Sequence, residues 1–229
     1  MANSSGYFIT GTDTGVGKTV VTLGLMQCLQ NRGHHVAGMK PVASGCEDTA
    51  DGLRNDDALR LQAQASIALD YAEVNPYPFA PPIAPHLAAA AAGSRIDLEA
   101  IHAGVRQLAG RVDRVCVEAI GGWLVPLNGR ETVADLAVRL GLGIILVVGI
   151  RLGCLNHALL TVHAIEAAGL ELAGWVANIL PPEPMCAEDS INYLKTIIYA
   201  PLLGVVPVLS DVGPMAVAKC LSMQPLENS

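Results

Sequence analysis

The densest chemistry in the sequence lies at Gly11-Thr12-Asp13-Thr14-Gly15-Val16-Gly17-Lys18-Thr19. A short apolar run, Tyr7-Phe8-Ile9, precedes it and a helical pattern over residues 18–30 follows. Strand, glycine-rich turn, Gly-Lys-Thr and helix, in that order, make a phosphate-binding loop. Glycines let backbone N–H groups turn in around phosphate oxygens, and the helix start offers unpaired N–H groups to the same anion. Lys18 is placed to reach the β- and γ-phosphates and the Thr19 hydroxyl to ligate Mg²⁺. Five residues separate Gly11 from Gly17, one more than the usual pattern, so the loop is a longer variant. A plain glycine turn with a surface lysine is the ordinary alternative; the flanking strand and helix weigh against it.

Three more charged residues fall at the ends of predicted elements. Glu118 ends an apolar strand, where a carboxylate is costly unless paired or metal-bound. Next to a phosphate loop its natural partner is the Mg²⁺ of the nucleotide, and the ordinary alternative is a salt-bridged or capping acid. Lys40 precedes a proline that stops its strand. A second cation there would stabilise charge developing on a transferred phosphate, worth roughly 4 kcal/mol at about 4 Å in an effective dielectric near 20; otherwise it is a solvated strand-end lysine. Asp57, in Asn55-Asp56-Asp57-Ala58, sits at a helix start, and on spacing alone capping outranks metal binding there. Ser44 and Gly45, followed by Glu47, Asp48 and Asp51, read as a mobile substrate loop, and the proline-rich stretch 75–82 as an ordered loop packed over the site.

The elements that must position these groups alternate. Extended patterns at 7–10, 35–39, 114–117, 144–150, 172–177 and 203–206 are interleaved with helical ones at 18–30, 56–66, 85–92, 97–109, 132–140, 156–168, 187–197 and 214–221. That order predicts a single α/β domain over residues 1–229: an open, mainly parallel sheet with helices on both faces. Ligands bind such sheets beyond the carboxyl ends of the strands. Each strand there is followed by polar, charged or glycine-rich residues: the phosphate loop, then Lys40-Pro41-Val42-Ala43-Ser44-Gly45, Glu118-Ala119-Ile120-Gly121-Gly122, Arg151-Leu152-Gly153-Cys154, Asn178 and Pro207.

Composition sets outer bounds. Apolar residues make up 52% and charged ones 15%, which excludes disorder and points to surface covered by another subunit. A net charge of −7 argues against a nucleic-acid partner. The apolar run 140–150 is about half of the roughly 20 residues a membrane helix needs, so no membrane span is expected. The first six residues lack the basic start and apolar core of a secretion signal. The six cysteines are scattered and the six histidines form no metal-spaced set. Cytoplasm is the expected location.

Taken together, these stretches resemble the dethiobiotin synthetase family from about residue 7 to residue 207. Gly-Thr-Asp-Thr-x-Val-Gly-Lys-Thr, Lys-Pro-Val-Ala-Ser-Gly and Leu-Gly-Cys-Leu-Asn-His carry the likeness, and the longer loop is what this family shows. The resemblance implies a variant P-loop NTPase fold and a homodimer that joins 7,8-diaminononanoate and CO₂ at the expense of ATP, with Mg²⁺, to give dethiobiotin, ADP and phosphate. It implies that Lys40 is catalytic, with Lys18 also on the carbamate and phosphoryl oxygens. Gly15, Val16, Gly17, Lys18, Thr19, Val20 and Gly121 would hold the nucleotide, and Thr19, Asp57 and Glu118 the metal, which reverses the capping preference for Asp57. Thr14 and Ser44 would touch the substrate. Asn178 would recognise adenine, with Pro207, Val208 and Leu209 lining the base pocket. Gly153, Cys154, Leu155 and Asn156 would take the substrate carboxylate of the neighbouring subunit through backbone N–H groups.

The sequence departs from the family at Gly15, where some members carry a glutamate, and at Ala119-Ile120, in place of a small Gly-Ala pair. No residue near Asp211-Val212-Gly213-Pro214 aligns with the family's late nucleotide contacts. The rival from another class is a partitioning or switch ATPase on the same scaffold. Such proteins carry an extra lysine early in the loop, and residues 11–17 contain none; an Asn-Lys-x-Asp guanine motif is also missing. An amidotransferase-type ligase would need a glutaminase domain, for which the chain leaves no room.

Overall fold

The computed structural model describes residues 6–227; residues 1–5, part of the stretch read as carrying no secretion signal, lie outside the described residues. The elements run β1 (Gly6–Gly11), α1 (Lys18–Asn31), β2 (Val36–Met39), β3 (Val42–Ser44), β4 (Glu47–Thr49), β5 (Gly52–Arg54), α2 (Asp56–Gln64), α3 (Tyr71–Val74), β6 (Tyr77–Phe79), α4 (Pro85–Ala91) and α5 (Leu98–Ala109). There follow β7 (Arg114–Glu118), α6 (Val133–Leu140), β8 (Gly143–Ile150), α7 (Cys154–Ala167), β9 (Leu172–Ile179), α8 (Ala187–Ile197), β10 (Leu202–Val206), α9 (Pro214–Ala218) and α10 (Gln224–Glu227).

Six strands, in the order β10-β9-β8-β1-β7-β2, form one wholly parallel sheet. Each matches a strand expected from the sequence. The central strand shows why. β8 is Gly-Ile-Ile-Leu-Val-Val-Gly-Ile and buried along nearly its whole length, as a strand covered on both faces must be. Successive side chains point to opposite faces, so Ile145 and Val147 join the larger core cluster while Leu146, Val148 and Ile150 pack with Trp175 and the apolar sides of α7 and α8. Connections between parallel strands cross right-handed; with this strand order, α1 takes one face and α5 to α8 the other.

Register aligns the strand ends that matter. Ile9 pairs with Glu118 and Gly11 with Val147, so the root of the phosphate loop, the acid that ends β7 and the end of β8 share one rim. Gly153, at φ +92, opens α7 at Cys154, two residues before the expected start.

Two stretches expected as loops contain short strands. The stretch read as a mobile substrate loop is an antiparallel hairpin, with Glu47 paired to Arg54 and Thr49 to Gly52. Gly52, at φ +96, supplies the left-handed backbone that its tight turn requires. The proline-rich stretch contains β6, which pairs in parallel with β3 (Val42 with Tyr77, Ser44 with Phe79) and so braces the segment after Lys40. No helix among the described residues is long and apolar enough to cross a membrane.

Candidate active site

Gly17 precedes α1 with φ +88, a conformation open to glycine alone at this position. Close packing reinforces the requirement, because a Cβ on Gly17 would lie 2.2 Å from Asn178 Nδ2. That amide nitrogen donates to the Val16 carbonyl at 2.9 Å. Asn178, at the end of β9, therefore clasps the phosphate loop from beneath. Lys18 follows, with Nζ donating to the Asp13 carbonyl at 2.8 Å, which holds the ammonium within the curve of the loop. Asp13 is held in turn by Arg151, whose Nη2 lies 2.5 Å from its carboxylate.

Behind the loop sits a compact charge cluster. Glu118 is fully buried. Its Oε1 accepts from the Thr19 hydroxyl at 2.8 Å and from Lys40 Nζ at 2.6 Å. Lys40 Nζ also donates to Asp57 Oδ2 at 2.8 Å. The ordinary reading of Glu118 as a salt-bridged acid is thus half right: Oε1 has cationic and hydroxyl partners, whereas the buried Oε2 has none. Asp57 is not the cap of α2. Asn55 fills that place, its side chain accepting from the Ala58 N–H at 3.3 Å, which frees the Asp57 carboxylate to turn toward Lys40.

Burial acts on the two lysines in one direction and their neighbours act differently. Desolvation lowers Lys18 most; the attraction of Glu118 only partly offsets it, and repulsion from Lys40 adds to the fall, leaving its pKa at about 8. Desolvation also lowers Lys40, but Glu118 and Asp57 outweigh it with charge and hydrogen bonds, so the Lys40 pKa lies above its ordinary value. Burial raises Asp57, and Lys40 more than reverses that, leaving its carboxyl below the usual range. Lys40 is a fixed cation, and Lys18 one that an incoming anion would stabilise further.

Thr14, Gly15, Gly17, Lys18, Thr19, Val20, Lys40, Ser44, Asp57, Glu118 and Gly121 all line one cavity of about 310 Å³. Asn55, Arg60 and Ile120 line it too, and sequence reasoning named none of them as site residues. Arg60 carried a signal, since it follows Asp57 by three residues on a helix and so shares its face. Ile120 is the bulky departure from the family pattern, and it enters the cavity wall. Val16 is a buried residue of the loop itself, and Asn178 lies beneath it. Pro207, Val208 and Leu209 follow β10, two strands beyond β8 on the same rim. Gly153, Cys154, Leu155 and Asn156 form the start of α7, outside the cavity lining. Cys154 N–H already donates to the Arg151 carbonyl; the first-turn N–H groups of Leu155 and Asn156 have no intrahelical partner by the geometry of helix ends.

A glycine loop feeding a helix at the carboxyl rim of a parallel sheet, with a lysine, a threonine and a buried carboxylate behind it, defines a P-loop nucleotide-binding protein. A family model described as an AAA domain matches residues 5–216. Solved structures show the same fold. A chain of the MinC:MinD cell division complex of Aquifex aeolicus aligns with a TM-score of 0.57 at 18% identity, over 97% of this chain and 88% of that one. The cell division ATPase MinD of Pyrococcus furiosus aligns with a TM-score of 0.55 at 18% identity, over 98% and 99%. Sequence relatives are much nearer. The ATP-dependent dethiobiotin synthetase BioD of Pseudomonas paraeruginosa is 53% identical over 96% of this chain and 97% of its own length. That of Chromohalobacter salexigens is 51% identical over 92% of each. The chain belongs to the ATP-dependent dethiobiotin synthetase family, a family of ligases.

Proposed function

We propose that this protein is a single-domain enzyme, residues 1–229, that carboxylates 7,8-diaminononanoate with CO₂ and closes the ureido ring of dethiobiotin at the expense of ATP. The observation that carries the reading is the convergence of Lys18, Lys40, Thr19, Asp57 and Glu118 on one cavity under a phosphate loop. One substrate amine captures CO₂ as a carbamate, losing a proton. A carbamate oxygen attacks the γ-phosphorus, and the bond to the ADP oxygen breaks. The second amine then attacks the carbonyl carbon of the mixed anhydride and gives up a proton, the C–O bond breaks, and phosphate departs carrying the former carbamate oxygen.

The residues divide this work. Lys40, always charged, faces the transferred group, and Lys18 spans the phosphates with it. Backbone N–H groups of Gly15, Val16, Gly17, Thr19 and Val20 cradle the phosphates, with Gly121 beside them. Ser44 and Thr14 orient the diamine. Mg²⁺ fits the donor set: the Thr19 hydroxyl and the Asp57 and Glu118 carboxylates are hard oxygen ligands, and Glu118 Oε2 is a buried acceptor in want of a partner. Bound there, Mg²⁺ would offset charge on the phosphate oxygens. Asn178, Pro207, Val208 and Leu209 form the base pocket, with Asn178 also clasping the loop. A closed site suits this reaction because a carbamate is short-lived in water and must be held in line with the phosphorus.

The same proposal includes a homodimer in which the start of α7 binds the substrate carboxylate held by the other subunit. Leu152 there is fully exposed and Leu160 is 61% exposed, an apolar surface suited to burial against a second copy. Six free cysteines among the described residues suit the cytoplasm.

Oxygen tracing tests the chemistry. With ¹⁸O-labelled CO₂ supplied faster than it exchanges with water, one labelled oxygen is expected in the released phosphate. Unlabelled phosphate formed alongside dethiobiotin would contradict attack by a carbamate oxygen.

A further inference from the structure

The cavity residues are not held by the sheet alone. Lys40 is gripped at both main-chain groups by the end of α3: its N–H donates to the Val74 carbonyl at 2.9 Å, and its carbonyl accepts from Asn75 Nδ2 at 2.7 Å. Asn75 is itself buried. Its Oδ1 accepts from the Tyr71 hydroxyl at 3.0 Å. The Tyr71 oxygen in turn accepts from the Asn55 N–H at 2.8 Å, and Asn55 caps the helix on which Asp57 stands. The Arg54 guanidinium lies 4.3 Å over the Tyr71 ring and pins it from the other side. An unbroken hydrogen-bonded chain therefore runs from the backbone of Lys40, through Asn75 and Tyr71, to Asn55, the cap of α2.

We propose that Tyr71 and Asn75 are positioning residues that set the end of β2 and the start of α2 at a fixed separation, so that Lys40 and Asp57 stand in working register before substrates arrive. This rests on the reading of Lys40 and Asp57 given above. Phosphoryl transfer depends on placement more than on covalent chemistry, and misplacement by about 1 Å costs around a hundredfold in rate. The tyrosine hydroxyl is suited to the junction because it accepts from one element and donates to the other. Phenylalanine keeps the ring and its cation contact and removes only the relay.

The test compares Tyr71→Phe with Tyr77→Phe, which also deletes a hydroxyl that accepts a backbone N–H, that of Asp97 at 3.2 Å. For Tyr71→Phe, kcat is expected to fall ten- to a hundredfold with KM for diaminononanoate within threefold of wild type. The Mg²⁺-dependent tightening of ATP binding, measured by calorimetry without turnover, is expected to shrink at least threefold. Tyr77→Phe is expected to leave both unchanged. Asn75→Ala is the second variant, with the same expected kinetic loss should Tyr71→Phe fail to fold. Tyr71→Phe that loses thermal stability yet keeps wild-type kcat and Mg²⁺ dependence would overturn the proposal. Lys40→Ala is assayed alongside: if it retains turnover, the reading of the site itself fails, whereas an inactive Lys40→Ala beside a kinetically silent Tyr71→Phe condemns the relay alone.

Discussion

Glu118 places a carboxylate where solvent does not reach, with one oxygen bound by Thr19 and Lys40 and the other without a partner. A buried acceptor left unpaired is costly in a folded protein unless something that binds later completes it. Glu118→Gln keeps the shape and removes the charge. The expected result is at least a tenfold loss, about 1.4 kcal/mol, of the Mg²⁺-dependent part of ATP affinity, read by calorimetry with and without the metal. Metal dependence equal to wild type would count against the assignment. Gly17 makes a different point. A methyl there collides with Asn178 and forces a side chain into φ +88. Gly33, at φ +85 with nothing within 4 Å of its Cβ position, offers the control. Both Gly17→Ala and Gly33→Ala are expected to lower stability by about 1–2 kcal/mol through backbone strain. Only Gly17→Ala should also weaken ATP binding, by more than about tenfold; equal affinities in the two variants would show that the clash does not reach the phosphate cradle.

At the scale of elements, local signals decide where helices begin and end. Thr132 precedes α6, and its N–H and hydroxyl both donate to Asp135, at 2.7 and 2.8 Å. Those bonds hold the Asp135 carboxyl below its ordinary pKa. A depressed carboxyl contributes stability above its unfolded value of 3.8 and loses it as pH falls through the lower, folded value. Thermal melts of wild type and Asp135→Asn should therefore differ by a constant amount above about pH 5 and converge as pH falls below the unfolded value; a gap that persists at pH 2 would rule out this source.

The six main strands were legible because each is an apolar run bracketed by helical patterns, and parallel strands are buried on both faces. The short ribbons were not. β4 has exposed Glu47 and Asp48, and β6 has Pro78 at its centre; each is three residues long, too short for a period to show. α3 also escaped, although Asp70 and Glu73 form a capping box and Pro76 blocks continuation. Missing α3 hid the support of Lys40. On spacing alone Asp57 reads as a cap because two acids and an asparagine compete at that helix start, and only the packing shows Asn55 taking the role.

At the scale of the whole molecule, fold and chemistry separate. The rival reading, a partitioning ATPase, shares this architecture, as the likeness to MinD shows, so the sheet and the phosphate loop do not decide between them. What decides is the second lysine and its two carboxylates, together with relatives about half identical along nearly the whole chain. A switch ATPase spends nucleotide to change partners; a synthetase spends it only when a second substrate is in place to accept the phosphoryl group. The most direct test follows from that contrast. Phosphate release is measured with ATP, Mg²⁺, diaminononanoate and bicarbonate together, and again with the diamine or the bicarbonate omitted. Release is expected only with the full set, matched mole for mole by dethiobiotin. Hydrolysis that runs at the same rate without the diamine would contradict the account.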